Sequence, residues 1–134
     1  MDFTVNKYIE LLKALQNAGY AFLTFRDYMS FQSTTSKSQN ITVTSGHTQS
    51  PQTETERNNN SLPEKFIILR HDVDALPENS LLLARIQGKM HITGSYYFRV
   101  VRKSYDEKII REISNLGHEI GYHYENMDTC NGNI

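Results

Sequence analysis

The chain has 134 residues, a formal net charge of −1 and a single cysteine, Cys130. That length allows one domain with a core of its own, and a charge near zero gives no electrostatic footprint for nucleic acid or an anionic membrane. One cysteine makes no internal disulfide, Met1-Asp2 lacks the basic and apolar runs of a signal peptide, and no apolar stretch approaches a membrane span, so a cytoplasmic, soluble protein is expected.

Residues 1–31 read as a helix and a strand. Tyr8, Leu11, Leu12 and Leu15 fall on one helical face that Gly19 would stop. Tyr20–Phe25 then reads as a short strand. From Gln32 to Leu62 the composition changes: 21 of 31 residues are Ser, Thr, Asn or Gln, and only Ile41, Val43 and Leu62 are apolar. Such a segment cannot bury enough surface to offset its ordering entropy, so 32–62 is expected to be a disordered polar insertion. Asn40-Ile41-Thr42 and Asn59-Asn60-Ser61 match the glycosylation acceptor pattern, as a Ser/Thr/Asn-rich stretch does by chance.

Residues 63–134 carry the chemistry. Phe66–Leu69 is a run of four apolar residues, the pattern of a strand buried on both faces of a parallel sheet. It leads into Asp72 and Asp74, whose spacing puts both side chains on one side of the strand. Paired carboxylates repel unless a positive charge lies beside them, and a bound metal ion is one answer; an Asx-type turn without metal is the other. Pro77 opens a helix carrying Leu82, Leu83 and Ile86 and stopped by Gly88. Gly94–Val100 is strand-like. Ser104-Tyr105-Asp106-Glu107 reads as a capping box before Ile109, Ile110, Ile113 and Leu116, with Gly117 at the stop. Glu119–Glu125 returns to strand. The order from residue 66 is β-α-β-α-β, which implies parallel strands joined by right-handed crossovers.

In Gly117-His118-Glu119-Ile120-Gly121-Tyr122-His123-Tyr124-Glu125, the alternation puts Glu119, Gly121, His123 and Glu125 on one face. Turned inward, His123 and Glu125 would reach the same sheet end as Asp72 and Asp74, with Gly121 leaving room beneath. Imidazole with carboxylates suits zinc or another divalent first-row metal. His118 reads as structural, His71 as packing on the opposite face, and His47 and His91 as solvated. Tyr96, Tyr97 and Phe98 read as core. Arg99, near its strand end, is the candidate contact to the base or the substrate.

Asp72-Val73-Asp74, the Gly94–Val100 strand and the Gly117–His123 motif together resemble the first half of a polysaccharide deacetylase domain of the NodB-like type, over about residues 66–127. The resemblance implies a partial (β/α) barrel with parallel strands and outer helices. It also implies removal of acetyl groups from N-acetylated saccharides with the help of a divalent metal, zinc being the expected one. Position by position, Asp72 would be the catalytic base, and Asp74 and His123 metal ligands. The family pattern has a second histidine four residues after the first, where this chain has Met127, a poor donor for such a cation. Glu125 is the candidate replacement, unless a helical turn takes it off the face of His123. The family's later motifs, with an arginine that orients the base and a histidine acid, have no counterpart in this sequence. A full barrel takes about 250 residues, so the chain is expected to be the N-terminal part of a domain, with a missing half or self-association covering the open sheet. Asp-x-Asp after an apolar strand also introduces haloacid-dehalogenase-type phosphatases and some nucleotide-sugar glycosyltransferases, neither of which accounts for Gly117–Glu125. The third possibility is a degenerate, non-catalytic relative that binds saccharide or metal.

Overall fold

The structure is a computed structural model and describes residues 4–37 and 61–124. Most of the polar insertion, together with Glu125 and Met127, lies outside the described residues. The described chain is mixed α/β. In chain order the elements are α1 (Val5–Asn17), β1 (Ala21–Leu23), α2 (Phe25–Lys37), β2 (Phe66–Ile68), β3 (Arg70–Val73), α3 (Pro77–Lys89), β4 (Ser95–Phe98), α4 (Glu107–Asn115) and β5 (Glu119–Tyr122). No helix among the described residues is long and apolar enough to cross a membrane.

Every strand pair is parallel. β1 pairs with β2, and β3, β4 and β5 form a three-stranded sheet with β4 at its centre. The described strands do not close into a barrel; what stands is the coarser α/β arrangement of parallel strands and helices. The apolar run expected to be one strand divides at Leu69. Phe66–Ile68 pairs with Ala21–Leu23, while the Leu69 carbonyl accepts from Ser95 N–H at 2.8 Å and hands the chain to β4. One stretch thus serves two neighbours in succession.

The alternation of β3–β5 sorts side chains cleanly. Val73, Tyr96 and Phe98 pack with Leu81 and Ala84 of α3 and Ile113 of α4, joined by Ile109, Ile110 and Ile120. A second cluster seats α1 through Tyr8 and Leu12 on Ile92, with Phe22, Leu69, Leu83 and Met90 around it. Between the two clusters lies a buried polar junction. Tyr96 Oη donates to Gln87 Oε1 at 2.9 Å, and the Gln87 amide N–H groups point at Tyr8 Oη and at His71 Nε2, the latter at 2.7 Å. His71 stacks on the Tyr96 ring, centroids 4.4 Å apart. Gly94 is required beside this junction, because a Cβ there would stand 2.8 Å from Gln87 Oε1.

Three local readings differ from the structure. Residues Phe25–Lys37 form a helix where a strand end and the start of the insertion were expected. A reciprocal box starts that helix: Asp27 N–H donates to Thr24 Oγ1 at 3.1 Å and Thr24 N–H to Asp27 Oδ2 at 2.9 Å. Asp106, not Ser104, caps α4, accepting from the N–H groups of Lys108 and Ile109. Ser104 is fully buried and instead donates to the Val73 carbonyl at 2.6 Å, pinning the loop after β4 to the end of β3. Gly88 lies within α3, which runs on to Lys89.

Glu119 supplies a long-range cap. Its carboxylate accepts from Phe25 N–H at 3.0 Å and Arg26 N–H at 3.2 Å, at the positive end of α2, and from Ser95 Oγ at 2.5 Å. Glu119→Ala should lower unfolding free energy by about 1–2 kcal/mol, read as a shifted urea midpoint at unchanged slope.

Burial pushes the His71 imidazole down from 6.5 to about 4, with the neighbouring His118 acting in the same direction and Asp72 opposing. The geometry agrees, since an Nε2 that accepts from Gln87 carries no proton. A His held below its unfolded value contributes stability that is complete above pH 6.5 and is lost as pH falls to about 4. The loss amounts to at most about 3 kcal/mol. Urea unfolding at pH 7 and pH 5 should therefore show a marked acid decline in the wild type and a shallower one in His71→Asn. Equal slopes would assign the decline to other groups.

Candidate functional site

The face of β3–β5 opposite α3 and α4 is polar, and register places its residues in rows. Arg70, Ser95 and Glu119 stand side by side, then Asp72, Tyr97 and Gly121. The backbone bonds Arg99 N–H to Val73 O and His123 N–H to Phe98 O carry the register one step further, to Asp74, Arg99 and His123 at the C-terminal ends of the strands. Period two along three parallel strands is sufficient to put these side chains on one surface.

The end row is where charge and imidazole meet. His123 Nδ1 and Asp74 Oδ1 are 3.4 Å apart, and Arg99 Nη1 is 3.9 Å from the same carboxylate oxygen. The His123 side chain is 17% exposed, and its Nδ1 is buried without a hydrogen-bond partner among the described residues. Asp74 is close enough for charge attraction, but the pair is not aligned as a hydrogen bond. Two donors each about 2.0–2.1 Å from one tetrahedral cation stand about 3.3–3.5 Å apart, so this spacing and the unsatisfied ring nitrogen fit a shared divalent ion. Among the described residues no group of three or more His, Cys, Asp and Glu gathers around such a point. Glu125, the expected third ligand, lies outside them.

Asp72 sits one row below, with a different partner. Arg70 Nε donates to Asp72 Oδ1 at 2.7 Å, and the guanidinium carbon lies 4.6 Å from the centroid of the Tyr97 ring. That hydrogen bond raises the Arg70 pKa above its ordinary value. The space above Gly121 is filled by Tyr97, since a Cβ at 121 would come within 2.5 Å of the ring's Cδ1. The glycine therefore admits an aromatic ring, where a gap beneath the ligands was expected. Phe25 meets the same ring edge-on at 6.0 Å, so the start of α2 closes the lower end of the face.

Asp72, Asp74, His123 and Arg99 thus come together on one face, and His71 and His118 do not join them. His118 is buried, accepts Gly94 N–H on Nδ1 at 3.1 Å and has its Nε2 3.0 Å from the Ala84 carbonyl. An Nδ1 that accepts leaves the proton on Nε2, so this ring is a neutral tie between α3 and β4. Burial lowers its pKa, against the opposing effect of the Ala84 carbonyl. His71 is in the junction behind the sheet. Tyr96 and Phe98 are core, whereas Tyr97 faces the site. Arg70 was not singled out from the sequence and Tyr97 was read as core, although the i, i+2 relation that joins Asp72 to Asp74 also joins Arg70 to Asp72.

No protein-family model, no curated protein and no solved structure matches the chain. The assignment of a function therefore rests on the residues and their geometry.

Proposed function

We propose that the chain carries part of a metal-dependent hydrolase domain that removes acetyl groups from N-acetylated saccharides. The observation that carries this reading is the end row, where a buried His123 Nδ1, without a hydrogen-bond partner among the described residues, stands 3.4 Å from Asp74 Oδ1, with Asp72 one row below on the same face. Parallel α/β folds hold their chemistry at the C-terminal ends of strands, where these residues stand. Asp74 and His123 would hold the cation, with Glu125 as a further donor. When bound, a divalent metal supplies Lewis-acid polarisation of an acyl oxygen and a more acidic water.

The chain's own residues account for the remaining steps. Asp72, exposed on the site side, accepts one proton of the attacking water while the water oxygen bonds to the acetyl carbon. The carbon–nitrogen bond then breaks as the nitrogen takes up the proton held by Asp72, giving acetate and the sugar amine. Arg99, 3.9 Å from Asp74, offsets the charge of that carboxylate and would contact the saccharide. A second reading, a non-catalytic saccharide- or metal-binding relative, is favoured by Met127 at the place of the second histidine in the resembled family.

Metal content by elemental analysis and acetate release from a chito-oligosaccharide separate the two. Asp74→Ala and His123→Ala should each lower bound zinc. Asp72→Asn should retain the metal while acetate release falls by about 10²–10⁴. Loss of zinc in Glu125→Gln would make Glu125 the third donor. Bound zinc with no acetate release in the wild type would favour the non-catalytic relative, and unchanged metal content in all four variants would remove the metal site.

A further inference from the structure

We infer that Arg70 is a positioning residue for Asp72, held in place by the Tyr97 ring, and that Gly121 is a glycine so that this ring can lie flat across β5. The inference rests on the deacetylase reading of Asp72. Its parts come from three adjacent strands. Arg70 and Asp72 project from the same side of β3 two residues apart, and Nε donates to Oδ1 at 2.7 Å. The guanidinium lies over Tyr97 of β4 at 4.6 Å from the ring centroid. Tyr97 is in register with both Asp72 and Gly121, and its ring occupies the volume that any side chain at 121 would need.

Each contact limits a different freedom. An arginine side chain free in water samples many rotamers, and an exposed ion pair alone gains little from holding one of them. A planar guanidinium stacked on an aromatic face has fewer orientations left, and one edge then points its N–H at the carboxylate. Asp72 in turn has one oxygen occupied by Arg70, which fixes the carboxylate plane and leaves the other oxygen to receive a proton. Arg99 stands in the row above, 3.9 Å from Asp74. Phe25, edge-on to Tyr97, braces the ring from below. A lysine in place of Arg70 would retain the charge but not the planar edge.

The test uses the full chain, with kinetics of acetate release, chemical rescue and arginine side-chain NMR. Arg70→Ala should lower kcat by about 10–100-fold with KM and zinc content unchanged, and millimolar guanidinium added to the buffer should restore much of the lost rate. Arg70→Lys should recover only a part. Tyr97→Leu and Gly121→Ala should lower kcat in the same direction without losing metal. Independently of turnover, the Arg70 Nε–H resonance of the wild type should be shifted upfield by the ring beneath it and should move in both Tyr97→Leu and Asp72→Asn. Wild-type kcat in Arg70→Ala, a loss that guanidinium does not rescue, or an Nε–H resonance indifferent to both substitutions would overturn the inference while the deacetylase reading stands. A wild type that binds zinc yet releases no acetate would overturn both.

Discussion

The hydrogen bond from Tyr96 Oη to Gln87 Oε1 is the constraint on which the rest of the molecule depends. Both side chains are fully buried, so neither can trade the bond for water, and breaking it would strand a donor and an acceptor together. It fixes the Gln87 amide with its nitrogen turned the other way, towards Tyr8 and His71. One side chain of α3 thereby connects α1, β3 and β4. The stacking of His71 on Tyr96 and the absence of a side chain at Gly94 follow from the same placement.

That junction lies behind the sheet, and its rigidity is felt in front. Neighbouring residues on β3 point to opposite faces, so an imidazole locked at 71 orients the backbone that presents Asp72. Val73, 2% exposed, does the same for Asp74 from within the apolar cluster. The front face is charged, with Asp72 answered by Arg70 and Asp74 by Arg99. Packing on one face and electrostatics on the other are thus two aspects of a single alternation. Ser104 adds a third element by tying the loop after β4 to the Val73 carbonyl, which stiffens the strand end next to Asp74.

What was legible in the sequence follows from periodicity. The two-residue repeat correctly put Asp72, Asp74 and His123 on one surface, and the β-α-β-α-β order gave the parallel pairing of β3, β4 and β5. Pro77 at the start of α3 marked a helix for a physical reason, its missing N–H costing nothing there. The helix α2 was hidden because its Ser/Thr-rich composition resembles a linker, and the Thr24/Asp27 box that starts it uses Asp in place of the more familiar Glu. The division of Phe66–Val73 at Leu69 was hidden because hydrophobicity records burial and not the identity of the pairing partner. Ser104 offered the right spacing for a cap, but Asp106 lies closer to the start of α4 and Ser104 was drawn to a buried carbonyl. Tyr97 was assigned to the core with its neighbours, whereas its parity matches Asp72.

The Glu119 carboxylate also bears on the order in which the molecule can be assembled. It joins residues 94 and 93 positions apart in the chain, Phe25 and Arg26, across everything that separates α2 from β5. At a synthesis rate of about 5–20 residues per second, the first turn of α2 waits roughly 5–20 s for the carboxylate that completes it. During that interval the Thr24/Asp27 box holds the helix start together. The two-stranded sheet with α2 and the three-stranded sheet therefore become one cooperative unit only when β5 arrives beside β4 and brings the missing acceptor with it.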